Sequence, residues 1–195
     1  MHLKRTAEPL DALGSALSIL QGEHLFYATA LKTLLGHLDR ARISSAKPNL
    51  EVFATGIGFI NTFMDHFHHP KEDEFLFRAL RRRTTEADAV LRELQFEHAY
   101  GPQSLDELKA ALNRAQAGGK AELELFADNM KSYAHTQFAH MEREEGIVLP
   151  IARRALNEED WKEIERGFRE HRDPLFSAPG GKFGILFRPL VNTGI

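Results

Sequence analysis

Residues His66–Phe77 read HFHHPKEDEFLF. Three histidines, one proline and three acidic residues stand where the apolar rhythm of a helix is otherwise running. Upstream, Ala54, Ile57 and Met64 fall on one helical face, and Phe75 and Ala79 resume it downstream. Extended through the gap, the seam runs Ile57, Asn61, Met64, His68, Glu72, Phe75, Ala79. His68 and Glu72 are four residues apart, so they share a face one turn apart. A histidine and a carboxylate thus lie where the core is expected. Pro70, between them, removes one helix hydrogen bond and is expected to kink the segment locally.

The same pattern recurs along the chain. Segment four, about Ala121 to Ala155, carries Phe126, Met130, Tyr133, Gln137, His140, Glu144, Ile147 and Ile151 on its seam. His140 and Glu144 repeat the His-x-x-x-Glu spacing, and Tyr133 and Gln137 are read as core residues or as the lining of a small-ligand pocket. In segment one, about Leu10 to Leu38, the vacant position between Leu20 and Leu31 is His24; Leu13, Leu17, Leu35 and Leu38 complete that seam. In segment three, opened by the capping signal TTEAD, His98 lies between Leu94 and Leu105, with Leu91, Leu108 and Leu112 on the same face. Gly101 and Pro102 are expected to bend it. SSAKPN and AGGK separate the segments. The order His24, His68, Glu72 then reappears as His98, His140, Glu144, an internal repeat in which both single histidines follow a glutamate.

Short links between long helices imply an antiparallel up-down four-helix bundle, an all-α fold. In that topology His24, His68, His98 and His140 fall in one layer at roughly 1.5 Å per residue, with the two glutamates about a turn nearer one end. A fifth helix is expected from Asn157, carrying Trp161, Ile164 and Phe168, and the tail DPLFSAPGGKFGILFRPLVNTGI reads as a strap packed on the bundle. The expected organisation is one domain over 1–195, with a four-helix core over about 10–155 and the fifth helix and tail over 157–195.

Composition narrows the classes. The 195 residues carry a net charge of -3 and no basic stripe, so nucleic acid is not an expected partner. No apolar run reaches the roughly 20 residues of a membrane helix. Lys4 and Arg5 are not followed by an apolar stretch, and there is no cysteine, so a cytoplasmic setting is expected and thiolate chemistry is excluded. Six ionisable groups converging on one core need compensation, because buried unpaired carboxylates cost several kcal/mol each. Imidazole with carboxylate suits iron, manganese or zinc, and six donors exceed one tetrahedral zinc. Two metals, each with two histidines and sharing Glu72 and Glu144, use the whole set. Of the other histidines, His66 and His69 point off the seam toward an outer or surface role, His135 is peripheral, and His2, His37 and His171 carry no pattern. Neither Glu-x-x-His nor His-Glu-x-x-His occurs, which argues against a ferritin-like centre and a zinc protease.

The chain resembles the hemerythrin-like (HHE cation-binding) family, specifically its bacterial four-histidine branch. The motifs that carry the resemblance are EH at His24, HHPKEDEFLF from His68, EH at His98 and HMEREEGIVLP from His140, with a later W…F…DPLF…LF pattern. The resemblance spans about Leu10 to Asn192. It implies metal ligands His24, His68, Glu72, His98, His140 and Glu144 around two non-haem iron ions, with Glu145 the second choice for the last carboxylate. It implies a protein that binds or reacts with O2, nitric oxide or peroxide, with a small diatomic or peroxide as its partner. The alternatives are a di-iron enzyme reducing nitric oxide or peroxide, and an iron-centre repair or iron-handling protein. The oxygen carriers of the family use a fifth histidine one turn from the third-helix ligand; here Leu94 and Pro102 occupy those positions. Repair proteins of the branch often carry a cysteine-bearing N-terminal segment, and this chain has no cysteine, which lowers the repair reading.

Overall fold

A computed structural model describes residues 11–44 and 46–171. The expected strap from Asp173 onward lies outside the described residues. Five helices follow one another, and no strand occurs among the described residues. Helix α1 is Ala12–Ser44. Helix α2 covers 50–83 and starts at Asn49, whose side chain accepts the Glu51 N–H at 3.1 Å. Helix α3 is Asp88–Ala117 and α4 covers 120–155. Helix α5 is Glu158–Glu170. Each of the first four packs on its neighbours in chain order, and α4 returns to α1, closing the up-down bundle. The all-α reading is borne out.

Two expectations shift in detail. Helix α3 runs unbroken through Pro102, because that proline stands on the exposed face while Leu94, Leu105 and Leu108 pin the other face in the core. Helices α2 and α4 are not α-helical throughout. Wider π turns occupy Met64–His68 and Glu72–Phe77 in α2 and Glu144–Val148 in α4. In two of them an i to i+5 bond ends on the residue just before a proline: the His69 N–H donates to Met64 O and the Leu149 N–H to Glu144 O. The wider turn relieves the clash between the Pro70 or Pro150 ring and the preceding turn. Each π turn also rotates the downstream seam. Leu76 and Phe77 are buried where Phe75 was expected, and Val148 replaces Ile147, which is 45% exposed.

The core is split into two apolar clusters. One holds Tyr27, Leu31, Phe53, Ile60, Phe126 and Met130; the other holds Leu17, Leu20, Phe77, Leu91, Val148 and Ile164. Helix α5 belongs to the second. A reciprocal capping box between Asn157 and Asp160 starts it, and Arg83 donates to Asp160 at 2.7 Å, tying it to the end of α2. Trp161, Ile164 and Phe168 then face inward, and Gly167 lets α5 come against Phe75. A methyl group at Gly167 would overlap the Phe75 ring. Gly167→Ala is therefore expected to destabilise the fold by about 1–3 kcal/mol. A urea midpoint equal to that of the wild type would show that α5 is loosely seated.

Candidate metal centre

Between the two apolar clusters lies a polar layer. His24 comes from α1, His68 and Glu72 from α2, His98 from α3, and His140 and Glu144 from α4. All six side chains are buried. The donor atoms of His24, His68, Glu72 and Glu144 lie within 4.8 Å of one another, and so do those of Glu72, His98, His140 and Glu144. The two sets share both carboxylates. His24 Nε2 is 3.2 Å from Glu144 and 3.6 Å from Glu72; His68 Nε2 is 3.4 Å from Glu72. On the other side His140 Nε2 is 3.2 Å from Glu144, and His98 Nε2 lies 3.8 and 3.9 Å from the two carboxylates.

The outer face of each imidazole is fixed by a further carboxylate. His24 Nδ1 donates to Glu145 at 2.9 Å, His68 Nδ1 to Glu23 at 2.8 Å, His98 Nδ1 to Asp73 at 3.0 Å and His140 Nδ1 to Glu97 at 2.7 Å. A carboxylate only accepts, so the proton sits on Nδ1 and the Nε2 lone pair turns inward. Glu145, the second choice for the last carboxylate, thus stands behind His24, while both oxygens of Glu144 face the centre. Cations hold two of the outer carboxylates in turn. Lys71, fully buried, pairs with Glu23, and Arg143 donates to Glu97 at 2.6 Å.

These outer partners escaped the sequence reading because each serves a histidine on another helix. Glu23 precedes His24 but holds His68; Glu97 precedes His98 but holds His140. The internal repeat carried the signal. Lys71-Glu72-Asp73 answers Arg143-Glu144-Glu145, just as Glu23-His24 answers Glu97-His98. His66 and His135 are exposed, as expected. The surface option for His69 is corrected: it is buried at 7% exposure, because the π turn through His68 swings the following residue inward. Tyr133 lies in the first apolar cluster with its hydroxyl 2.9 Å from that of Tyr27, and Gln137 is half-buried.

The residues fit a bound cation. His24 Nε2, His68 Nε2 and all four oxygens of Glu72 and Glu144 are buried without a hydrogen-bond partner, and all belong to the two converging sets. The Nε2 atoms of His98 and His140 face each other at 3.2 Å, which two inward lone pairs tolerate only with a proton or cation between them. Without metal, charge must come from protons. Burial disfavours the His140 imidazolium, but Glu144, Glu97 and Glu72 outweigh it and push the pKa up to about 10. Burial is likewise overcome at His24, which Glu144, Glu145 and Glu72 raise well above its ordinary value. Glu144 is held well below the usual carboxylate range, as His140 and His24 outweigh its burial.

Fold and site together define an all-α bundle built around a buried histidine–carboxylate cluster of the cation-binding kind. The family model for the hemerythrin HHE cation binding domain matches residues 16–152, and the chain belongs to that family. No match was found among curated proteins or among solved structures.

A histidine whose pKa is raised by folding stabilises fully below its unfolded value of 6.5, and that stability is lost as pH climbs toward about 10. The metal-free protein is therefore expected to weaken by a few kcal/mol across that window. Urea midpoints taken in chelator across the window measure it. A flat profile would mean that the folded metal-free histidines are neutral.

Proposed function

We propose that this chain holds two non-haem iron ions and binds or reacts with O2, nitric oxide or peroxide. The observation that carries the reading is the pair of four-donor sets sharing Glu72 and Glu144. Two sets with common carboxylates suit two metals bridged by those groups, and imidazole–carboxylate donors without thiolate suit iron. His24 and His68 would hold one ion, His98 and His140 the other. Bound iron would supply the redox change and the open coordination position that such small ligands require.

The protein's own residues do the rest. Glu145, Glu23, Asp73 and Glu97 hold the Nδ1 proton of the four imidazoles, which fixes ring orientation and leaves Nε2 to face the centre. The apolar clusters on both sides exclude bulk water and large molecules, so the centre selects for size. No described helix is long and apolar enough to cross a membrane. The proposed setting is the cytoplasm, with a small diatomic or peroxide as ligand and neither nucleic acid nor membrane as partner.

Iron reconstitution under anaerobic conditions should load two ions per chain. His140→Ala should lose at least one of them, while His66→Ala, on the exposed side of α2, should retain both. Elemental analysis finding a single zinc, or no metal, after reconstitution would sink the di-iron reading. Optical spectra of the reduced protein should change on exposure to air and to nitric oxide; a spectrum unaltered by either would remove the proposed ligands.

A further inference from the structure

His69 is unexplained by the six-residue centre. It is buried, and neither ring nitrogen has a hydrogen-bond partner. A buried polar group left this way is costly, and the four other histidines and glutamates with orphaned atoms, His24, His68, Glu72 and Glu144, owe theirs to the centre. The His69 ring stacks on His98 with centroids 4.1 Å apart and 16° between planes, and lies 5.4 Å from the His140 ring. Donor atoms of His69, His98 and His140 fall within 4.8 Å of one another. Helix α3 offers this half one nitrogen only, since Leu94 and Pro102, one turn either side of His98, carry no donor.

Asp65 adds a second observation. It stands one turn before His69, with Oδ1 4.0 Å from His69 Nδ1 and Oδ2 buried and unpartnered. That separation is about 1 Å longer than a hydrogen bond. The relation matches the four other imidazoles, each with Nδ1 toward a carboxylate, but here it is not closed. The repeat breaks at this position: the residue after His140 is Met141, which is buried but is no match for an imidazole as a donor to a hard iron centre. A surface groove lined by His24, Ala28, Phe138, Met141 and Gly146 opens on the His24 side.

We propose that His69 is a fifth histidine of the centre, giving its second nitrogen to the metal held by His98 and His140, so that the two metals are unequal and the open position lies on the His24–His68 side. The inference rests on the two-metal reading above. Asp65 then accepts a hydrogen bond from His69 Nδ1, as Glu97 does from His140 Nδ1. An incoming small molecule would meet the metal that faces the groove, and the other metal would carry one more imidazole and so one fewer free position.

The test compares wild type, His69→Ala and His69→Phe, loaded anaerobically with 57Fe(II). Phenylalanine keeps a ring against His98 without a nitrogen, which separates packing from ligation. The wild type is expected to show two unequal Mössbauer doublets of equal area. Both variants should bind one of the two irons at least tenfold more weakly, as loss of a donor must cost no less than loss of an outer partner. Added imidazole should restore affinity and the wild-type spectrum in the alanine variant, where a cavity exists, and not in the phenylalanine variant. Retention of both irons within twofold, with the wild-type spectrum and no response to imidazole, overturns the inference. If neither variant folds by circular dichroism, the wild-type spectrum decides: two identical sites overturn it. A wild type that fails to load two irons refutes the underlying two-metal reading, and is distinguishable because it appears before any variant is compared.

Discussion

Two carboxylates, Glu72 and Glu144, sit at the centre of the bundle with essentially no exposure. Neither has a hydrogen-bond donor for its oxygens, and each faces histidines from the surrounding helices. Leaving such groups uncompensated would cost several kcal/mol apiece, a large fraction of the 5–15 kcal/mol that holds a typical domain together. Every other feature of the layer can be understood as an answer to that burden. Four imidazoles converge because only positive charge, whether protons or cations, makes the position tolerable. The apolar core splits into two clusters because the layer must pass between them.

The compensation extends outward in alternating sign. Inner carboxylates face imidazoles; imidazoles donate to outer carboxylates; two of these, Glu23 and Glu97, meet Lys71 and Arg143. Each bond from an imidazole to its outer carboxylate crosses from one helix to another, so the network ties α1 to α2, α3 to α2, and α3 and α1 to α4. The same pairings recur in the two halves, 23–73 and 97–145. A network of this kind rigidifies when complete and is costly when broken, so it specifies helix register more sharply than apolar packing alone.

The helix order, the layer and its six residues were legible because α1 and α3 keep a plain helical period around His24 and His98. The period failed after Glu72 and after Glu144. There the π turns add a fraction of a turn, so a count of threes and fours lands on Phe75 and Ile147 instead of Leu76, Phe77 and Val148. The same device concealed His69. An α-helical projection turns it away from the seam, whereas the π turn ending at His68 carries it into the core. The outer carboxylates were hidden for a different reason: pairing across helices depends on relative rotation, which a single helix's pattern does not contain. HHPKEDEFLF therefore says more in three dimensions than along the chain, with His68 and Glu72 turned to the centre, Asp73 behind His98, and Lys71 behind Glu23.

The two halves part company at their outermost cations. Lys71 is wholly buried, its ammonium group 5.6 Å from the Phe168 ring of α5, and α5 is locked to α2 by Arg83 and Asp160. Arg143 remains partly exposed, between Glu97 and Glu93. Solvent screens the second clamp and not the first, so corresponding positions of the repeat hold their carboxylates in different surroundings. Removing the aromatic cover over Lys71 would expose an ion pair that orients His68. Helix α5 is thus coupled to the centre through Phe168, Lys71 and Glu23 in sequence, although it contributes no atom to the donor layer.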